Sequence, residues 1–201
     1  DGVPLYAVET VRMLVAQGRL TREGDRYVPQ GDLTGVDVPE SLHALIAARL
    51  DALDAADRSM LQAGAVLGQT FSLAALAALT GEATAALEPR LRALARREIV
   101  ALDTDPQSPE RGQWGFTQAL IREVAYATLA RRERRSRHLA AARYFESLAD
   151  EEVSGPLATH YLDAYLASPE GAEADAIAAQ ARVALRAAAD RAAALGSHEQ
   201  A

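Results

Sequence analysis

Residues 98–118, EIVALDTDPQSPERGQWGFTQ, decide how the chain is read. An apolar run of Ile99, Val100 and Leu102 is answered by Trp114 and Phe116 at alternate positions. Between them, Asp-Thr-Asp-Pro and Ser-Pro-Glu-Arg-Gly are turn chemistry, so the stretch predicts a β-hairpin. Ahead of it the apolar residues recur at helical spacing. Leu42, Leu45, Ile46, Leu50 and Leu53 share one face. Asp54 is placed to cap a helix over 55–67 that buries Met60, Leu61, Ala65 and Val66. Ser72 caps a third helix closed by Gly81. A fourth runs from about Glu82 to Arg97 with Leu87, Leu91 and Leu94 inward. Pro89 would cost that helix a hydrogen bond, which moves its expected start toward Glu88. Helices followed by a hairpin spell a winged helix, assigned to residues 40–118.

Outward from this unit, residues 1–39 predict a helix over 4–17, with Leu5, Val8, Val11, Met13, Leu14 and Val15 at three- and four-residue spacing. A small hairpin around Glu23-Gly24-Asp25-Arg26 follows. Residues 119–153 read as one or two connecting helices, with Leu120, Ile121, Val124 and Leu129 inward. Residues 154–201 read as two antiparallel helices about a Ser-Pro-Glu-Gly turn, a break at Gly196, and a third helix that is cut off. Alanine at close-packing spacing there suggests the start of a tetratricopeptide-like arm. The fold class is therefore mainly α.

Composition narrows the function. The chain has 201 residues, no cysteine and 49% hydrophobic residues, with aromatics at only 5%, a mix suited to helices packed through small side chains. No apolar run reaches membrane-spanning length and no signal-peptide pattern is present, so a soluble, cytoplasmic location is expected. All 21 basic residues are arginine. A phosphate-binding loop needs its lysine, so a complete Walker A site is excluded. His43, His138, His160 and His198 show no ligand spacing and read as helix-surface or interface residues, and no metal is expected. No nucleophile–base–acid arrangement is apparent, so the chain by itself is not expected to be an enzyme.

Charge is uneven. Residues 119–149 carry seven arginines against three acids, whereas 40–118 carry seven against ten. Arg131, Arg132, Arg134, Arg135 and Arg137 form the densest basic cluster, open to reading as a phosphate or nucleic-acid contact surface or as a solvated helix face that pairs with acidic neighbours. DNA binding through Arg90, Arg92, Arg96 and Arg97 of the fourth helix is disfavoured, because Asp103, Asp105 and Glu110 at the wing tip would repel phosphates. Trp114 and Phe116 fit better as anchors of the hairpin than as base-stacking platforms.

Several landmarks fall in a familiar order: Gly2-Val3-Pro4-Leu5 before a helix with Glu9, then VPESLHALIAARLDAL, LQAGAVLGQTFSLAALAALTG, LRALARREIV, and FTQALIREVAYATLARRERRSRHLAAARYFE. Taken together they resemble the segment C-terminal to the nucleotide-binding core in signal-transduction ATPases with numerous domains. Large ATP-binding regulators of LuxR type and the modules attached to class III adenylyl cyclases are the nearest in pattern. The resemblance runs through essentially the whole chain.

It implies that residues 1–39 end an AAA-type ATPase lid, with Gly2 and Pro4 at the adenine edge of a nucleotide held mainly by an upstream domain. It also implies a phosphate-sensing position at the end of the wing, in a Phe-x-His motif. The matching residues here are Phe116-Thr117-Gln118, and glutamine offers a neutral amide where the family has an imidazole. The function implied is a non-catalytic regulatory module of an ATP-dependent signalling or transcriptional regulator. ATP or ADP would be bound by the parent protein and no cofactor by this segment. Expected partners are the upstream ATPase domain and a protein or small-molecule inducer at the arm, with no membrane. The alternatives are a DNA-binding winged-helix factor and a helical-repeat interaction scaffold.

Overall fold

A computed structural model describes residues 4–31, 41–148 and 153–196. Gly2, His198 and the third helix expected after Gly196 lie outside these residues. The described chain is mainly helical, with two small antiparallel sheets, and it divides into two compact units, residues 1–58 and 59–201. No helix among the described residues is long and apolar enough to cross a membrane.

In the first unit, helix α1 (Pro4–Ala16) leads through Gly18, at φ 68°, into strands β1 (Leu20–Glu23) and β2 (Arg26–Pro29). The register pairs Leu20 with Pro29 and Glu23 with Arg26, leaving Gly24–Asp25 as a two-residue turn. Helix α2 (Leu42–Asp51) is capped by Ser41, whose hydroxyl accepts from Ala44 N–H, and it buries Leu45, Ile46 and Leu50. The inward face of α1 departs from the apolar spacing. Val8 and Val15 are 44% and 38% exposed, whereas Glu9 is 2% exposed. Its carboxylate accepts from Arg12, one turn on, and from Arg49 Nη1 of α2 at 2.9 Å. Two guanidinium groups thus make a carboxylate tolerable in an apolar stripe.

The division falls inside helix α3 (Ala55–Leu67), which Asp54 caps through Asp57 N–H. After α3 come strand β3 (Thr70–Phe71), helices α4 (Leu73–Thr80) and α5 (Thr84–Arg96), and strands β4 (Val100–Leu102) and β5 (Trp114–Phe116). Ser72 caps α4, and Gly81 closes it in the left-handed conformation at φ 72°. Helix α5 starts at Thr84, earlier than Pro89 suggests, so the proline lies inside it. Leu87, Leu91 and Leu94 are all fully buried, and that apolar face outweighs the lost Pro89 hydrogen bond. At its C-terminus Glu98 N–H donates to Ala95 and Ile99 N–H to Leu94, a Schellman arrangement that holds Glu98 at φ 54°.

The hairpin forms, with Val100 opposite Phe116 and Leu102 opposite Trp114. A third strand joins it: β3 pairs antiparallel with β5, giving the order β3-β5-β4. Gln69 fastens this edge, its side-chain amide donating to Phe116 O at 2.6 Å while its own carbonyl accepts from Phe116 N–H. Trp114 and Phe116 are both buried, and Phe116 lies 5.8 Å from the Phe71 ring. The loop between β4 and β5 closes on itself. Asp103 accepts from the Ser108 hydroxyl and from Asp105 N–H, which hold its carboxyl below the usual carboxylate range.

Helices α6 (Ala119–Ala127), α7 (Arg131–Ser147), α8 (Ser154–Leu166) and α9 (Ala172–Ala194) complete the second unit. Helix α8 packs against both α7 and α9, and α4 also packs on α7. The α7–α8–α9 core consists of Ala142, Ala158, Tyr161, Ala181 and Ala184, flanked by Leu139, Leu157 and Ala188. Small side chains at these positions let helix axes approach closely.

Candidate functional site

Strand β5 leads straight into α6. Thr117 ties it back to α5, its hydroxyl donating to Glu98 O at 2.7 Å and its N–H to Ile99 O. Gln118 is the N-cap of α6 in extended conformation, half-buried, and its side chain does not bond the first N–H groups of the helix. Pro4, the other described residue of the expected nucleotide contacts, is the first residue of α1, where its fixed φ suits a helix start.

The arginine cluster is spread around α7, not gathered on one face. Arg131 donates to the carbonyls of Ala167 and Ser168 at the end of α8. Arg134 donates to Ala127 O and lies over the Tyr126 ring, 4.9 Å from its centroid. Arg135 pairs with Glu173 at the start of α9 at 2.9 Å. Arg137 donates to the Ser59 carbonyl and hydroxyl of α3. Arg132 is exposed. Four of the five side chains thus satisfy helix ends and neighbouring helices, because a guanidinium fork is well matched to carbonyls left open at a helix C-terminus. On α5, Arg90 pairs with Glu82 and Arg92 with Glu88.

The chemistry that sequence reasoning did not bring together is a buried histidine pair. His138 of α7 and His160 of α8 are 2% and 4% exposed, with their Nδ1 atoms 3.0 Å apart. His138 Nε2 lies 2.9 Å from the Tyr126 hydroxyl of α6, and Phe145 stacks on His160 at an interplanar angle of 13°. Asp163 Oδ2 is 3.7 Å from His138 Nδ1. Burial pushes both imidazoles down to about 4. For His138 the Arg122 and Arg134 guanidinium groups add to the effect. For His160 the partner ring adds to it, partly opposed by Asp163. Burial also raises the Asp163 carboxyl and the Tyr126 phenol. Each histidine stands alone on its own helix, 22 residues from the other, so nothing in either local pattern marks the pair.

His43 is exposed on α2. Among the described residues no group of three or more His, Cys, Asp or Glu side chains could hold a metal ion. An open groove of about 310 Å3 is lined by Ser59, Leu79, Thr80, Glu82, Glu133, Ser136 and Arg137. Its lining carries two carboxylates and one guanidinium, and Arg137 there donates to Ser59. Compared with protein families, curated proteins and solved structures, the chain matches none.

Proposed function

We propose that this chain is a non-catalytic regulatory module of an ATP-dependent signalling or transcriptional regulator. In this reading residues 40–118 act as a winged helix and α8–α9 open a tetratricopeptide-like arm. The observation that carries it is the run of elements: α3-β3-α4-α5-β4-β5, sheet order β3-β5-β4, then an alanine-packed helical stack. Nucleotide bound by an upstream domain would bias where the wing docks, through Gln118 at the mouth of α6. The arginines of α7 then serve as internal ties that pass a displacement of α6 and α7 on to α8 and α9.

Calorimetric titration with ADP tests the division of labour. The 201-residue chain should give no binding heat, and a longer product of the same reading frame, carrying the upstream region, should bind. Tight binding by the shorter chain would refute the reading.

The helical-repeat scaffold is the second reading, favoured by apolar side chains left open on the last helices: Leu166 is 63% and Val183 73% exposed. The DNA-binding alternative loses ground, since Glu82 and Glu88 occupy Arg90 and Arg92.

A further inference from the structure

We propose that His138 and His160 form an acid-released latch between α7 and α8, in which the neutral ring pair holds the helices together and full protonation of both rings drives them apart. The geometry allows one proton in the gap between the two Nδ1 atoms and no more, because they face each other at 3.0 Å. In the neutral pair one ring donates across that gap and the other accepts. A first added proton keeps this bond, because the outer Nε2 of His138 can donate to the Tyr126 hydroxyl. A second proton turns both facing nitrogens into donors and both rings into cations, inside a contact that excludes water. The rings must then separate.

The surroundings oppose charge on nearly every side. Helix α6 brings Arg122 and the Tyr126 phenol, and α7 brings Arg134. Helix α8 brings Asp163, a single carboxylate able to offset one charge. Helix α4, packed on α7, carries no titratable residue, and the acids and arginines of α9 stand exposed or, for Arg191, half-exposed. Phe145 closes the far face of His160 with an apolar ring.

The sign of the pH dependence follows from the depressed imidazoles. Each ring takes its proton near 6.5 when α7 and α8 are apart and near 4 when they are packed. The open state therefore binds more protons between these values. The latch is at full strength above pH 6.5 and weakens as pH falls toward 4. With two protons linked, the opening constant rises up to about 100-fold per pH unit.

The inference needs no nucleotide and stands apart from the regulatory reading above. The test is amide hydrogen exchange on the whole chain, corrected for the intrinsic pH dependence of exchange, at pH 6.5 and 5.5. Amides of α7 and α8 should lose at least tenfold protection while those of α5 change by less than threefold. A His138→Gln, His160→Phe double variant should abolish this difference. A second measurement, imidazole 15N shifts of the wild-type chain, needs no variant and should find both rings neutral at pH 6. Equal loss of protection throughout the chain, unchanged α7 and α8, or rings that titrate near 6.5 while α7 and α8 stay protected would each overturn the latch.

Discussion

Replacing Glu9 with alanine removes the carboxylate that Arg12 and Arg49 both bond, at a side chain only 1% exposed, while the Arg49 side chain is itself 11% exposed. Taking one partner out of a buried ion pair costs about 3–5 kcal/mol, since the remaining charge keeps its desolvation penalty. The unit that holds them is 58 residues long, and at about 0.05–0.15 kcal/mol per residue its whole stability is about 3–9 kcal/mol. The substitution should therefore consume from about a third to all of it. Hydrogen exchange on the full chain reads this directly: protection of the slowest α1 and α2 amides should fall about 100-fold or more. Replacing the pair together, Glu9→Leu with Arg49→Met, should recover most of that loss, because an apolar pair of similar volume needs no charge compensation. A Glu9→Ala change that alters protection by less than about fivefold would mean the carboxylate does not pin α1 to α2, and the account of that unit would fail.

Other substitutions probe the second unit. Pro89→Ala should raise the thermal midpoint, by about 1–2 kcal/mol in stability, because Pro89 is exposed inside α5 and alanine restores the missing N–H. An unchanged midpoint would show that the helix already relaxes around the ring. Glu98→Gly should stabilise by about 0.5–1 kcal/mol, since Glu98 holds φ 54° at an exposed helix end where glycine carries no penalty. Denaturant titration would detect it. Arg137→Ala should cost about 1–2 kcal/mol by removing both bonds to Ser59, and exchange at the start of α3 should quicken with it.

Much of the helical layout was legible from local pattern, because caps and periodicity are properties of one segment at a time. Asp54, Ser72 and Gly81 sit where those rules place them, and the inward leucines of α5 are the buried ones. Strand β3 escaped notice because two residues carry no period, and its existence depends on Gln69 reaching Phe116, 47 positions on. Glu9 escaped because a lone acid in an apolar stripe reads as solvent-facing until Arg49 arrives from another helix. Pro89 misled for a related reason: tertiary burial of Leu87, Leu91 and Leu94 overrides a local breaker. The histidine pair needs α7 and α8 to meet, a contact between two helices that neither segment encodes alone.

The alanine seam of α7, α8 and α9 carries a mechanical corollary. Where Ala142, Ala158, Ala181 and Ala184 meet, four of the five core side chains are single methyl groups that cannot swing to absorb a shift, so a tilt imposed at one helix passes to the next with little backlash. Enlarging any one of these methyl groups would wedge neighbouring axes apart and turn a stiff transmission into a slack one.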